Sequence, residues 1–252
     1  MGFAMAAVVG RALSLGCVVI LAIETSVEQV GAALVDHSGV VAHASVSSDR
    51  RHAESLVPLI RFVTDQAGVS LSSVSAVAVD VGPGLFTGMR VGIATAQSLA
   101  WALDVPVAPV CSLDALGHRM RECDDLVAAA LDARRSEVYW ALYRSRGTDS
   151  LPQRITEPVV GSPEDLAIHL ADRAEPVLCV GTGFVRHRES FEPLTMARFA
   201  GVETRFPDAA SVGRVALSMV ANDETVGPDA VVPMYLRPPD ADIQWKTREG
   251  SS

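Results

Sequence analysis

Asp80-Val-Gly-Pro-Gly-Leu-Phe-Thr-Gly-Met-Arg-Val-Gly92 is the stretch on which the fold turns. Ahead of it, Val74–Asp80 is short, rich in valine and bounded by serines, the pattern of a buried strand. Behind it, Gly88–Leu103 holds no proline and stops at Asp104-Val-Pro106, the pattern of a helix followed by a break. The turn between them carries Gly82, Pro83, Gly84 and Gly88, with Thr87 placed to cap the helix through its hydroxyl. A strand, a glycine turn and a helix N-terminus in that order present bare N–H groups and a positive dipole end to an anion. The same spacing fits a tight βα turn that holds nothing. The P-loop Lys-Ser/Thr and the full dinucleotide set of glycines are missing, so neither of those sites is assigned.

Within the helix, Gly88, Gly92, Ala96 and Ala100 recur every four residues and form one stripe poor in side chains. Two glycines in a helix cost about 1 kcal/mol each relative to alanine, so a close packing contact is expected. We read the stripe as a partner interface, flanked by Ile93, Gln97 and Trp101, with Arg90 and Gln97 supplying polar specificity at its rim. The periodicity fits a buried contact within the chain equally well.

The chain has 252 residues, long enough for one large or two smaller domains. Its hydrophobic content of 49%, charged content of 20% and mean hydropathy of +0.27 support a large core. The net charge of −9 disfavours RNA, DNA or an anionic membrane as direct ligands of a basic surface. Cys17, Cys111, Cys123 and Cys179 form no CxxC pair and read as reduced thiols of a cytoplasmic protein. No uncharged 18-residue apolar run is present, so no membrane helix is expected. Residues 1–17 lack a basic segment ahead of their apolar part and read as a disordered extension rather than a signal peptide.

In chain order, Val18–Ile23 reads as a central strand ending in Glu24-Thr25-Ser26, and Gln29–Val35 and Val40–Ser47 as a hairpin around Asp36–Gly39. Leu56, Leu59, Ile60 and Val63 lie on one helical face, with Pro58 tolerable near the first turn. A second cycle follows: strands at Leu126–Asp132, Glu137–Tyr143, Ile155–Val160 and Val177–Val180, a turn at Arg144–Asp149, and a helix at Pro163–Ala171 capped by Ser162. Ala210–Ala221 reads as a last helix, and Val226–Pro239 with its four prolines as an extended tail ahead of polar Thr247–Ser252.

This order resembles the actin, hexokinase and Hsp70 superfamily: an α/β protein of two related, RNase H-like halves with mixed sheets flanked by helices. The expected divisions are 1–17; 18–112, with 208–222 as a candidate addition to it; 113–207; and the tail 223–252. In that superfamily the turn after the first strand and a later glycine turn face a phosphate chain, which implies Glu24, Thr25, Ser26, Gly82, Gly84, Thr87 and Gly88 here. More specifically, ILAIETS, RHAESLVPLI, VGPGLFTGMRVGIA, LDARRSEVYWALY and VPMYLRPPD are similar to blocks of the TsaB (YeaZ) family, from Val18 to Arg237. The resemblance implies a bacterial, cytoplasmic protein that partners TsaD in making tRNA N6-threonylcarbamoyladenosine. It further implies TsaE in the larger complex, tRNA met only through that complex, and a homodimer when alone.

TsaD carries a His-x-x-x-His metal pair after the strand that follows its glycine-turn helix; Ser112 and Leu116 stand at those positions here. None of the six histidines has a partner at helical spacing, so no metal site is expected. Glu24, Asp80 and Asp132 could form a carboxylate set for phosphoryl transfer, but no dedicated base accompanies them, and Asp132 beside Arg134 and Arg135 fits a structural ion pair. The expectation is a non-catalytic subunit with no required cofactor and at most weak ATP or ADP binding. It would dock through two helices bearing Leu56, Leu59, Ile60, Val63, Gly88, Arg90, Gly92, Ile93, Ala96, Gln97, Ala100 and Trp101. The alternative is an ATP-dependent phosphotransferase or a metal-dependent peptidase-like enzyme of the same superfamily.

Overall fold

The computed structural model describes residues 18–47, 52–147 and 150–237; the predicted extension 1–17, the end of the turn at Asp149 and the tail Thr247–Ser252 lie outside the described residues. Along the chain run β1 (Ile20–Glu24), β2 (Gln29–Asp36), β3 (Gly39–Ser47), α1 (His52–Ala67), β4 (Ala76–Gly82), α2 (Phe86–Leu103), β5 (Val107–Cys111) and α3 (Ser112–Arg119). There follow β6 (Leu126–Arg134), β7 (Glu137–Arg144), β8 (Gln153–Arg154), β9 (Val159–Gly161) and α4 (Pro163–Arg173). The chain continues through β10 (Val177–Val180), α5 (Thr182–Arg186), α6 (Arg188–Phe191), β11 (Ala197–Phe199) and α7 (Ala209–Ala221). Among the described residues no helix is long and apolar enough to cross a membrane.

Internal contacts divide the chain into two units. The first comprises the described residues up to Asp80, Phe86–Val110 and Asp208–Val231. Its sheet has the order β3-β2-β1-β4-β5. β1 is antiparallel to β2 and parallel to β4, so the apolar run Ile20–Ile23 is hydrogen-bonded on both edges and fully buried. α1 packs on β2 and β3, and α7 on β1 and β2 with Gly213 against Ala22 and Val35. The last helix therefore completes the first unit.

Three local expectations are corrected here. β4 begins at Ala76 because Leu71–Ser73 forms a 3-10 turn, in which the Ser72 N–H donates to Ser70 Oγ at 3.3 Å. α1 starts at His52, which puts Pro58 in the second turn, where it removes the hydrogen bond that the Glu54 carbonyl would accept. α2 starts at Phe86, so Thr87 lies inside the first turn and is not the cap.

The predicted tail is largely anchored. Val226 exchanges backbone hydrogen bonds with Val107 at 2.8 and 2.9 Å, Val231 is buried, and the Gln97 amide donates to the Pro228 carbonyl at 2.9 Å. Pro238 and Pro239 lie outside the described residues.

The second unit comprises Val81–Leu85, Cys111–Pro207 and the described residues from Val232 onward, which moves the expected boundaries. Its sheet has the order β11-β10-β6-β7-β8, with β9 also on β7. β6 and β7 are antiparallel while β10 is parallel to β6 and β11, a hairpin followed by parallel strands as in the first unit. Leu126, Val138, Leu142, Leu166, Phe184 and Phe191 fill its core. Ser162 caps α4 in a reciprocal box with Asp165. The expected strand Ile155–Val160 is split: the Leu142 N–H goes to Thr156 Oγ1 at 3.0 Å instead of a backbone carbonyl, and Pro158 has no N–H to give.

Candidate functional site

Because β1 lies between β2 and β4, its C-terminal end opens into the interior of the first unit. Glu24, Thr25, Ser26 and Asp80 are all fully buried there. Glu24 Oε1 accepts from the Ser26 N–H at 2.6 Å and lies 2.7 Å from Ser26 Oγ, which is also 3.0 Å from Asp80 Oδ2. The hydroxyl has one proton for two acceptors, so a buried carboxyl pair of this kind is satisfied only if it holds a proton itself. Burial, reinforced by the charge and hydrogen bond of Asp80, pushes the Glu24 carboxyl well above the ordinary carboxylate range. Glu24 is thus an enclosed acid that holds its proton more tightly than an exposed carboxylate does, with its side chain turned to Ser26.

Thr25 is committed in the other direction. Its hydroxyl donates to the Gly88 carbonyl at 2.8 Å. A Cβ on Gly88 would stand 2.0 Å from the Thr25 carbonyl oxygen, and one on Gly92 would stand 2.2 Å from Thr25 Oγ1. The glycines are therefore needed for α2 to lie against the end of β1. Gly88, Gly92, Ile93, Ala96 and Ala100 are all buried, so the small-residue stripe seals against its own unit and is not the partner interface. Leu56, Ile60 and Val63 of α1 are buried too. The periodicity was right and its direction was the opposite one.

Of the expected phosphate-facing set, Glu24, Thr25 and Ser26 spend their side chains inside the protein as described, and Gly88 is pressed on Thr25. Gly82 is buried at the end of β4 with φ of 104°, Gly84 is half-buried and Thr87 is exposed.

Among the residues that α1 and α2 present, beside the charged Glu54, Arg61, Asp65 and Arg90, are four large apolar ones. Val57 and Phe62 on α1 are 54% and 53% exposed, and Phe86 and Trp101 on α2 are 47% and 56% exposed. The two helices pack on each other. The Arg90 guanidinium lies 3.9 Å over the Phe86 ring, at the i+4 position. Of the expected interface residues, Trp101 and Arg90 are exposed and Leu59 is half-buried, while Gln97 is tied to Pro228. Val57, Phe62 and Phe86, exposed on the same helices, are not among the expected residues. Large apolar residues standing off the buried face of a helix were the available signal.

The second unit has two polar centres. In one, Asp114 accepts from the Tyr143 hydroxyl at 2.8 Å and from Arg154 Nε at 2.9 Å. Burial, then the Asp114 charge, raises the Tyr143 phenol well above its usual value, so this is a structural lock. In the other, Asp132 at the end of β6 meets Arg134 and Arg186 at 3.4 Å and His187 at 3.3 Å, and its N–H donates to Thr182 Oγ1 at 3.0 Å. Asp132 thus forms an ion pair with Arg134, joined by Arg186 and His187, which the sequence did not place there. Ser112 and Leu116, the counterparts of a metal pair, are both buried in α3. Among the described residues no three His, Cys, Asp or Glu side chains come together to hold a metal ion.

A family model described as "TsaD: tRNA N6-adenosine threonylcarbamoyltransferase" matches residues 38–245. The chain is 31% identical over 233 residues to the tRNA threonylcarbamoyladenosine biosynthesis protein TsaB of Escherichia coli, covering 92% of this chain and 98% of that protein. It is 37% identical over 231 residues to an uncharacterized protein of Mycobacterium leprae; the match covers 88% of this chain but 56% of that longer relative. The solved structure of YeaZ from Pseudomonas aeruginosa superposes with a TM-score of 0.77 at 33% identity, covering 87% of this chain and all of that one.

Proposed function

The chain belongs to the TsaB family of tRNA threonylcarbamoyladenosine biosynthesis proteins, and from that premise we propose that it is a partner-binding subunit that contributes no reacting group. In this reading it docks, in the cytoplasm, on a threonylcarbamoyltransferase subunit of the TsaD type, with TsaE joining the larger complex. A second copy of the chain occupies the same face when that partner is absent. No cofactor of its own is required; weak nucleotide binding at Gly82–Gly88 would be accessory.

The supporting observation is the outward face of the α1–α2 pair. Four large apolar side chains exposed on two adjacent helices are expensive to leave in water and are the usual mark of a protein-binding surface. A TsaD-type subunit shares the family model that this chain matches, so it is expected to offer an equivalent helix pair. Phosphotransfer would need an open, ionised acid, whereas Glu24 is fully buried and its carboxyl is pushed well above the ordinary range. Peptidase-like metal chemistry would need ligands where Ser112 and Leu116 stand.

Co-expression with the TsaD-type subunit of the same organism, followed by sizing and a tRNA modification assay, tests the reading. A stable complex is expected, with no modified adenosine formed by this chain alone. Modification by the isolated chain would overturn it.

A further inference from the structure

In the second unit, the helices after β10 and the turn after β11 enclose a cavity of about 170 Å³. Its wall is made by Phe184 and Val185 of α5, Arg188 of α6, Phe199 of β11, and Val202 and Arg205 at the 3-10 turn beyond. We propose that this cavity binds a small carboxylic acid with an apolar body, its carboxylate held by Arg188 and Arg205 and its body by Phe184, Val185 and Val202. The site does not depend on the docking role of α1 and α2.

The two arginines stand apart from their neighbours. Arg144 has Glu175 at 2.8 Å, Arg154 has Asp114 and Glu157, and Arg198 has Asp125. Among the described residues, Arg188 and Arg205 have no carboxylate at ion-pair distance; each meets a ring instead, Phe199 at 3.4 Å and Phe206 at 4.7 Å. A stacked guanidinium spends its face on the ring and keeps its in-plane N–H groups, the edge that pairs with a carboxylate through two parallel hydrogen bonds. The rings also hold the guanidiniums in place beforehand, so less side-chain freedom is lost when an anion arrives.

The inner wall adds no opposing charge. Cys179 is 1% exposed there, and burial pushes its thiol up to about 12 against a smaller downward pull from Arg188, so the sulfur stays neutral at ordinary pH. One acid borders the site. The Glu203 carboxylate is folded onto Gly201, where a Cβ would stand 2.1 Å from Glu203 Oε1. It opposes an incoming anion at the rim without pairing with either arginine.

Size and lining decide the body of the ligand. An apolar cavity of about 150 Å³ holds one benzene, so this one takes a group of that size and is too small for a nucleotide. Val185 and Val202 are 47% and 59% exposed on its wall. An apolar body covers them, and inorganic phosphate would not.

Benzoate is the probe. It is titrated into the full chain labelled with nitrogen-15 and followed by assigned amide shifts. Benzyl alcohol, with the ring but no charge, and inorganic phosphate, with charge but no ring, are run beside it. Saturable benzoate shifts gathered on residues 179–205 are expected, with the other two probes each at least about tenfold weaker. Arg188→Gln/Arg205→Gln should weaken benzoate about tenfold or more, and Glu203→Gln should tighten it about twofold.

Because Arg188 packs on Phe199, Val202→Glu serves as a second variant. At an exposed position it should leave the melting temperature unchanged, and its rival carboxylate in the same cavity should weaken benzoate about tenfold. Wild-type affinity in the arginine variant or in Val202→Glu overturns the proposal. So does benzyl alcohol or phosphate binding as tightly as benzoate, or a wild-type chain with no saturable benzoate shift below about 20 mM.

Discussion

The two units treat their acidic residues in opposite ways. The first buries Glu24 and Asp80 together around Ser26 and leaves apolar side chains of α1 and α2 facing outward. The second keeps Asp132 near the surface within reach of Arg134, Arg186 and His187. A carboxyl pair enclosed around one hydroxyl presents no open charge, so the end of β1 is spent on packing. In the second unit Asp132 instead ties the β6–β7 turn to α5 through Arg134 and Arg186.

The hardest way to break this contrast is to disturb the contact that seals the first unit. Gly92→Leu puts a side chain where Thr25 Oγ1 already lies 2.2 Å from the would-be Cβ. It should destabilise the chain by ~3 kcal/mol or more in urea unfolding. A variant with wild-type stability would mean that the stripe is not packed on β1.

Two substitutions of matched chemistry then sharpen the comparison. Asp132→Asn leaves the surrounding cations without their counter-charge and should cost about 1 kcal/mol at low salt, less as salt screens the pairs. Glu24→Gln should do the reverse. Folded Glu24 keeps its proton at pH values where the unfolded chain has lost it. Its contribution is therefore fully favourable below the ordinary carboxylate value and is lost as pH rises through the folded value. Glu24→Gln should flatten the alkaline side of the stability–pH curve, read by thermal melts from pH 4 to 9. A decline as steep as that of wild type would show that Glu24 is not the buried proton holder.

The sequence carried much of this architecture in its local patterns. VVILAI and VSAVAVD marked the two buried strands to within two residues of their starts, and the glycine turn marked the helix that follows. Ser162 announced α4, and Asp165 completes its cap in the structure. The every-four spacing of Gly88, Gly92, Ala96 and Ala100 established that something approaches α2 closely. It carried no information on whether that object is a second protein or the chain's own Thr25, because a helical period specifies a face and not what lies opposite. The same limit hid Phe62 and Phe86, which stand off the regular stripe. Asp132, Arg186 and His187 are more than fifty residues apart in part, and no periodicity reports a meeting at that distance. Thr156 broke the expected strand Ile155–Val160 through a side-chain hydrogen bond that composition alone does not reveal.

The most direct test of the account is the affinity of Trp101→Glu for the TsaD-type subunit, measured by calorimetric titration alongside its melting temperature. Trp101 is 56% exposed, so the charge should leave the melting temperature unchanged while weakening association by about 100-fold or more. An affinity equal to that of wild type would contradict the claim that this chain works through the outer face of its helix pair.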